Sequence, residues 1–179
     1  CVRLRRRTYK SYNIKKKGVS GFMSQKKFTL RRAEEKDLDI LVDFNNRIAL
    51  ESEGHPLDLA VLRSSMKHIL EDERKGIYWL ACDGEKVIGQ MMYVFEWSTW
   101  QDKNYMWLTD LYVLPEYRKQ GVFKLLNQHL LDFYQKSPDI IGVRFYVAKT
   151  NTAVVPLYRR IGWKESKYNL WEVSKDDAR

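Results

Sequence analysis

The chain has 179 residues, 44% of them hydrophobic, with six tryptophans and a formal net charge of +9. That length suits one domain with a sizeable core, and no apolar run approaches the ~20 residues of a membrane span. Residues 1–27 hold ten of the 32 Lys and Arg and no acid, whereas residues 28–179 hold 22 basic against 23 acidic side chains, so a basic nucleic-acid-binding domain is excluded for that larger part.

Residues 1–27 read as a basic, flexible extension to a domain at 28–179. Arg5–Arg7 and Lys15–Lys17 are clustered blocks, without the apolar core of a secretory signal. Cys1 and Cys82 offer no disulfide framework, and His55, His68 and His129 are scattered. A reducing, cytoplasmic setting and no metal are therefore expected.

Phe28–Ala33 alternates and predicts a first strand. Asp37 is placed to cap a helix striped by Leu38, Leu41, Val42, Ile48 and Ala49. Glu51-Ser52-Glu53-Gly54-His55-Pro56 breaks it. A second helix begins near Asp58, with Leu59, Leu62, Met66, Ile69 and Leu70 on one face. Ile77–Cys82 and Lys86–Phe95 are strands joined by Asp83-Gly84, a strong hairpin signal. The polar loop Ser98–Asn104 leads to a strand at Tyr105–Leu114. After a basic turn, a helix carries Val122, Leu125, Leu126, Leu130 and Phe133 inward, with His129 beside them as packing. Ser137-Pro138-Asp139 ends it. Ile140–Val147 is a strand, Thr152–Ile161 a short helix and Trp163–Val173 a closing strand. The order β-α-α-β-β-β-α-β-α-β makes one α/β domain.

The most informative stretch is 111–126. There an apolar strand meets Pro115, then a basic turn with Gly121, then an amphipathic helix. Such a turn aims several backbone N–H groups at one spot, at the positive end of a helix dipole, and that spot suits a phosphate. Arg118 and Lys119 add charge, and Gly121 lets a ligand approach the backbone. It is neither GxGxxG nor a P-loop.

Taken as Val113-x-Pro115-x-Tyr117-Arg118-x-x-Gly121-x-Phe123, the string resembles the acyl-CoA signature of the GNAT family of N-acetyltransferases, Arg/Gln-x-x-Gly-x-Gly/Ala. Phe123 departs from it, standing where glycine or alanine is usual. A second string, Asn151-x-x-Val154-x-x-Leu157-Tyr158-x-x-x-Gly162-Trp163, is similar to another GNAT stretch. The element order is also that of the GNAT fold, with its mixed central sheet, so the resemblance covers residues 28–173. It implies acetyl-CoA as co-substrate. It further implies a bulge in the fourth strand that splays it from the fifth, with Leu111–Val113 and Tyr146–Ala148 as the two walls. The contacts it implies are Leu111, Tyr112, Val113, Arg118, Lys119, Gln120, Gly121, Val122, Phe123, Asn151 and Tyr158.

Acyl transfer to an amine needs an unprotonated amine, a polarised thioester carbonyl and a good leaving group. Direct attack requires no protein nucleophile. By resemblance Tyr158 would protonate the departing thiolate; otherwise it is a helix tyrosine packed on the sheet. Asn151 is equally an ordinary N-cap, and the two roles are compatible. A backbone N–H at the bulge, near Leu111 or Val113, could meet the oxyanion. Some members of the family carry a glutamate on the fourth strand, where Thr109 stands here. Asp110 is one residue along and should face the other side. Glu96, within Phe95-Glu96-Trp97-Ser98-Thr99-Trp100, is the alternative base, since a carboxylate against indole rings can collect a proton from an ammonium. Asp110 and Glu96 also have plain readings, as a structural aspartate and a salt-bridged strand end. Glu51 and Glu53 border the place of the acceptor in the family and could bind a cationic amine, or be solvated loop acids. Trp97, Trp100, Trp107 and Tyr93 could build an apolar acceptor wall, or be sheet core.

The leading expectation is an N-acetyltransferase acting on a primary amine of a small molecule. The alternatives are a protein lysine or N-terminal acetyltransferase, and a nucleic-acid-binding protein using its basic arm beside a vestigial CoA site. Neither membrane nor nucleic acid is expected as a partner, and a homodimer is left open.

Overall fold

Asp83-Gly84 turns the chain back on itself, and the hairpin it makes is the centre of the sheet. The computed structural model describes residues 28–152 and 154–174, and the extension at 1–27 lies outside the described residues. The elements are β1 (Thr29–Arg32), α1 (Leu38–Ser52), α2 (Leu59–Glu71), β2 (Ile77–Asp83), β3 (Lys86–Ser98), β4 (Lys103–Val113), α3 (Val122–Lys136), β5 (Ile140–Arg144) and α4 (Val155–Arg160). The sheet order is β1-β2-β3-β4-β5. The first three pairings are antiparallel and β4–β5 is parallel. Parallel neighbours need a crossover, and α3 supplies it.

Strand alternation divides the core between the two faces. Tyr78, Leu80, Cys82 and Met92 pack with Leu41, Val42, Leu62 and Met66 of α1 and α2. On the other face Tyr93 stacks on Phe133 of α3 at 5.3 Å, and Trp79 meets the His129 ring at 4.0 Å. His129 is packing, and burial lowers its pKa. Asp58 caps α2 as expected, accepting from the amides of Ala60 (2.8 Å) and Val61 (3.1 Å).

Asp37 stands at the N-cap of α1, but its side chain makes no capping bond there. Its carboxylate takes both Nη atoms of Arg31 at 2.6 and 2.7 Å and the Glu34 amide at 2.8 Å. Burial alone would raise this carboxyl, but the Arg31 bonds win and hold it below its usual value. A charged, bidentate partner outcompetes an N-cap amide.

The described chain separates into two compact units, one ending at Tyr146 and the other starting at Val147. In the second, the amide of Asn151 bonds to the Ala148 carbonyl at 2.8 Å, and Gly162, φ +94, follows the end of α4, with Trp163 N–H on the Tyr158 carbonyl at 3.0 Å. The expected closing strand, Trp163–Val173, is not formed, and β5 ends at Arg144 instead of Val147. Alternation defines a face, but a strand exists only where a ladder forms. Tyr168, Leu170, Trp171 and Val173 are exposed.

Candidate active site

The middle of β4 is irregular, and the irregularity decides what its side chains do. Gln90 pairs with Tyr112 and Met92 with Thr109, so Asp110 and Leu111 together oppose the single residue Met91. This is a β-bulge, and Asp110 adopts φ +49 within it. Aspartate tolerates that left-handed conformation better than most residues. The bulge breaks the alternation that would set Asp110 against Thr109. Its Oδ2 accepts the Tyr78 hydroxyl from the core under α1 and α2. Asn45 Nδ2 bonds to the Tyr78 oxygen at 3.1 Å and to the Leu41 carbonyl at 2.9 Å. Among the described residues, no hydrogen bond engages Asp110 Oδ1. Burial pushes the Asp110 carboxyl upward, against the smaller opposite effect of Tyr78. Burial and then the Asp110 charge push the Tyr78 phenol far up, so Tyr78 is a fixed donor and not an acid.

β5 pairs with β4 only from Asn104 to Trp107. From Leu108 to Val113, β4 keeps β3 on one side and has no described strand on the other. The expected bulge is therefore present, and the ladder between β4 and β5 stops at Trp107 and Arg144. Of the expected Tyr146–Ala148 wall, no residue lies in a strand.

Beyond Val113, a 3-10 turn over Pro115–Tyr117 leads to Arg118 and Lys119, φ +62. Gly121, φ +95, is the N-cap of α3. A side chain at that φ would be strained, and nothing lies within 4 Å of where a Cβ would stand. The turn thus leaves open space beside Gly121, at the head of a fifteen-residue helix whose first amides lack intrahelical partners. The expected phosphate donors, the amides of Gly121, Val122 and Phe123, stand at this turn with exposed Lys119 beside them. Gln120 is turned back onto the Glu116 carbonyl at 2.5 Å. The side chains of Tyr112 and Val122 are core, Tyr112 packing on Phe44 at 5.1 Å, so only their backbones can serve a ligand.

Arg118 and Glu51 were separate expectations, one for phosphate and one for the acceptor. They bind each other. Arg118 Nη2 lies 2.8 Å from both Glu51 oxygens, and its Nε donates to the Val113 carbonyl at 2.9 Å. The pair fastens the turn to the end of α1, 67 residues away. Glu53 is exposed just past α1.

The far end of the sheet holds Glu96. Trp107 Nε1 donates to its Oε2, and Arg144 Nη1 stands 3.6 Å from its Oε1. The Arg144 guanidinium lies 3.4 Å from the centre of the Tyr105 ring, and Trp107 stacks on Tyr146 at 4.6 Å. Of the expected aromatic wall, only Trp107 joins this cluster. Tyr93 lies on the α3 face, and Trp97 and Trp100 are 57% and 87% exposed. Arg144 and Tyr105 were not singled out from sequence, and Tyr146 only as the start of the second wall. Their only signal is that Arg144 ends an apolar strand.

In the second unit Tyr158 lies on α4, and burial raises its phenol above the ordinary value. Asn151 is not the N-cap of α4; Val154 is. Among the described residues, no group of three or more His, Cys, Asp or Glu could hold a metal, and no helix is long and apolar enough to cross a membrane.

Residues 40–163 match the family model described as acetyltransferase (GNAT) family. A possible acetyltransferase from Clostridium difficile 630 is 37% identical, with TM-score 0.78 over 82% of this chain and 97% of that one. A protein described as a predicted acetyltransferase with acetyl-CoA, from Clostridium acetobutylicum, shares the fold at 19% identity, TM-score 0.68, over 82% and 96% of the two chains. Thialysine N-epsilon-acetyltransferase of Mus musculus is 46% identical over 79 residues, covering 44% of this chain and 45% of its own length. The match to the Bos taurus enzyme, 32% identical, also covers 44% of this chain and 45% of its own length. The chain thus spans about half the length of these two relatives.

Proposed function

Because the chain belongs to the GNAT family of acetyltransferases, we propose that it moves an acetyl group from acetyl-CoA to the primary amine of a small molecule by direct attack. One observation carries this: β4 joins an edge with no described strand beside it, a carboxylate seated at a bulge in that edge, and the turn through Gly121 at the head of α3. Bound acetyl-CoA supplies an activated acyl carbon and a thiolate leaving group. Asp110 Oδ1 takes the proton of the attacking amine while Tyr78 holds Oδ2 still. A backbone amide turned out of the ladder by the bulge faces the carbonyl oxygen as it gains charge. By its resemblance to the family's tyrosine, Tyr158 is the candidate to return a proton to the departing sulfur; burial raises its phenol pKa, which keeps that proton in place at neutral pH. Glu96 is the weaker base, since Trp107 and Arg144 already occupy its carboxylate. A small acceptor is favoured by the names of the thialysine-acetylating relatives.

The test is acetyl transfer from acetyl-CoA to a panel of small primary amines and to lysine-bearing peptides. Turnover of the small amines is expected. Turnover of peptides alone replaces the reading with protein acetylation, and turnover of neither removes it. Tyr158→Phe should lower kcat by about 10–100-fold while acetyl-CoA affinity changes little. An unchanged kcat would make Tyr158 structural.

A further inference from the structure

We propose that Arg144 and Glu96 together receive the zwitterionic head of an amino-acid acceptor, whose side-chain amine is the one acetylated. This deepens the amine reading above and rests on it.

The position comes first. Trp107 and Arg144 are the last residues that β4 and β5 pair, so Arg144 stands where their ladder ends. Val113, beside the phosphate turn, is six residues of β4 away, about 20 Å of strand. A pantetheine arm laid along the edge of β4 with no described strand beside it would bring its thioester towards this point. Asp110 lies between, three residues from Trp107, about 10 Å.

The chemistry of the pair comes next. Tyr105 presses on Gly142, where a Cβ would stand 3.0 Å from its ring, and so offers its face to Arg144. Stacked there, the guanidinium is fixed in plane, which is how arginine is prepared for a carboxylate. Its approach to Glu96 is 3.6 Å, too long for a hydrogen bond. Among the described residues it makes no hydrogen bond, and its side chain is 33% exposed. Glu96 is held by the Trp107 indole at Oε2, leaving Oε1 beside the guanidinium. A fixed cation and a fixed anion at this spacing complement the α-carboxylate and α-ammonium of a free amino acid.

The acids decide against a simple polyamine. Glu51 is taken by Arg118, and Glu96 has a resident cation at its side. Of the three glutamates considered for the acceptor, only Glu53 stays open to a second ammonium, while the Arg144 fork remains to be filled. The span from the pair to Asp110 suits an amine at the end of an unbranched side chain.

The probes are L-lysine, 6-aminohexanoate and 1,5-diaminopentane, which share one terminal amine and differ in the head. For the native chain kcat/KM should fall at least tenfold from lysine to diaminopentane, with aminohexanoate between. In Arg144→Gln the lysine-to-diaminopentane ratio should fall at least tenfold, through KM; Arg144→Lys should restore part of it. Acetyl-CoA thermal shift verifies that each variant is folded. Equal kcat/KM for lysine and diaminopentane in the native chain overturns the inference without any variant, as does a ratio that Arg144→Gln leaves intact. In both cases the amine reading survives. Failure to acetylate any amine sinks both.

Discussion

Gly121→Glu should abolish acetyl-CoA binding and leave the domain folded. The native φ of +95 is unfavourable for a side chain, by about 1–2 kcal/mol. Nothing lies within 4 Å of the new Cβ, so no clash is added. A carboxylate at the head of α3 also meets the positive end of the helix dipole, which offsets part of the strain by about 0.3–1 kcal/mol. Folding therefore loses little. Binding loses much, because the same carboxylate occupies the amides and repels the phosphates. Titration calorimetry should show Kd weakened by at least ~100-fold, about 2.7 kcal/mol. Gly121→Ala carries the strain without the charge and should weaken binding far less. A Kd for Gly121→Glu within threefold of the native value would remove the turn as the phosphate site, and the CoA reading with it.

The site was legible in the sequence where one short stretch carries the whole signal. Gly121 needs its φ because of the turn it sits in, and Asp58 and Asp83-Gly84 act on neighbours two or three residues away. The helix stripes were equally local, and Leu41, Leu126 and Leu130 are all buried as their spacing requires. What escaped was set by pairings across the fold. Arg118 finds Glu51 across 67 residues, and nothing near either predicts it. Asp37 has the position of an N-cap, but Arg31 arrives through β1 and takes it. Tyr93 and Trp107 are both aromatic and both lie on strands, which is all that sets them on one wall in the sequence. Their faces depend on the register of β3 against β4, which pairs Tyr93 with Leu108 and Val94 with Trp107. The bulge at Asp110 left only a faint mark, aspartate's tolerance of positive φ, and it reverses the face that alternation assigns.

That reversal makes Asp110→Asn the second decisive substitution. Asparagine has the same shape and keeps an oxygen for the Tyr78 hydroxyl, but it cannot take a proton. kcat towards an amine acceptor should fall by about 10²–10⁴-fold, with acetyl-CoA affinity unchanged. Stability should move the other way. Burial raises the folded carboxyl above its unfolded value, so the native chain loses stability as pH rises from the ordinary carboxylate range through that raised pKa. At neutral pH the neutral amide escapes this cost, and Tm should equal or exceed the native one. The native kcat/KM should decline on acidification through a pKa above that ordinary range, and the residual rate of Asp110→Asn should lack this limb. A group that merely supports the fold would give a lower Tm together with a milder loss of rate. If kcat stays within threefold of native and Glu96→Gln removes it instead, the proton leaves through Glu96, and the bulge serves only to splay the strands.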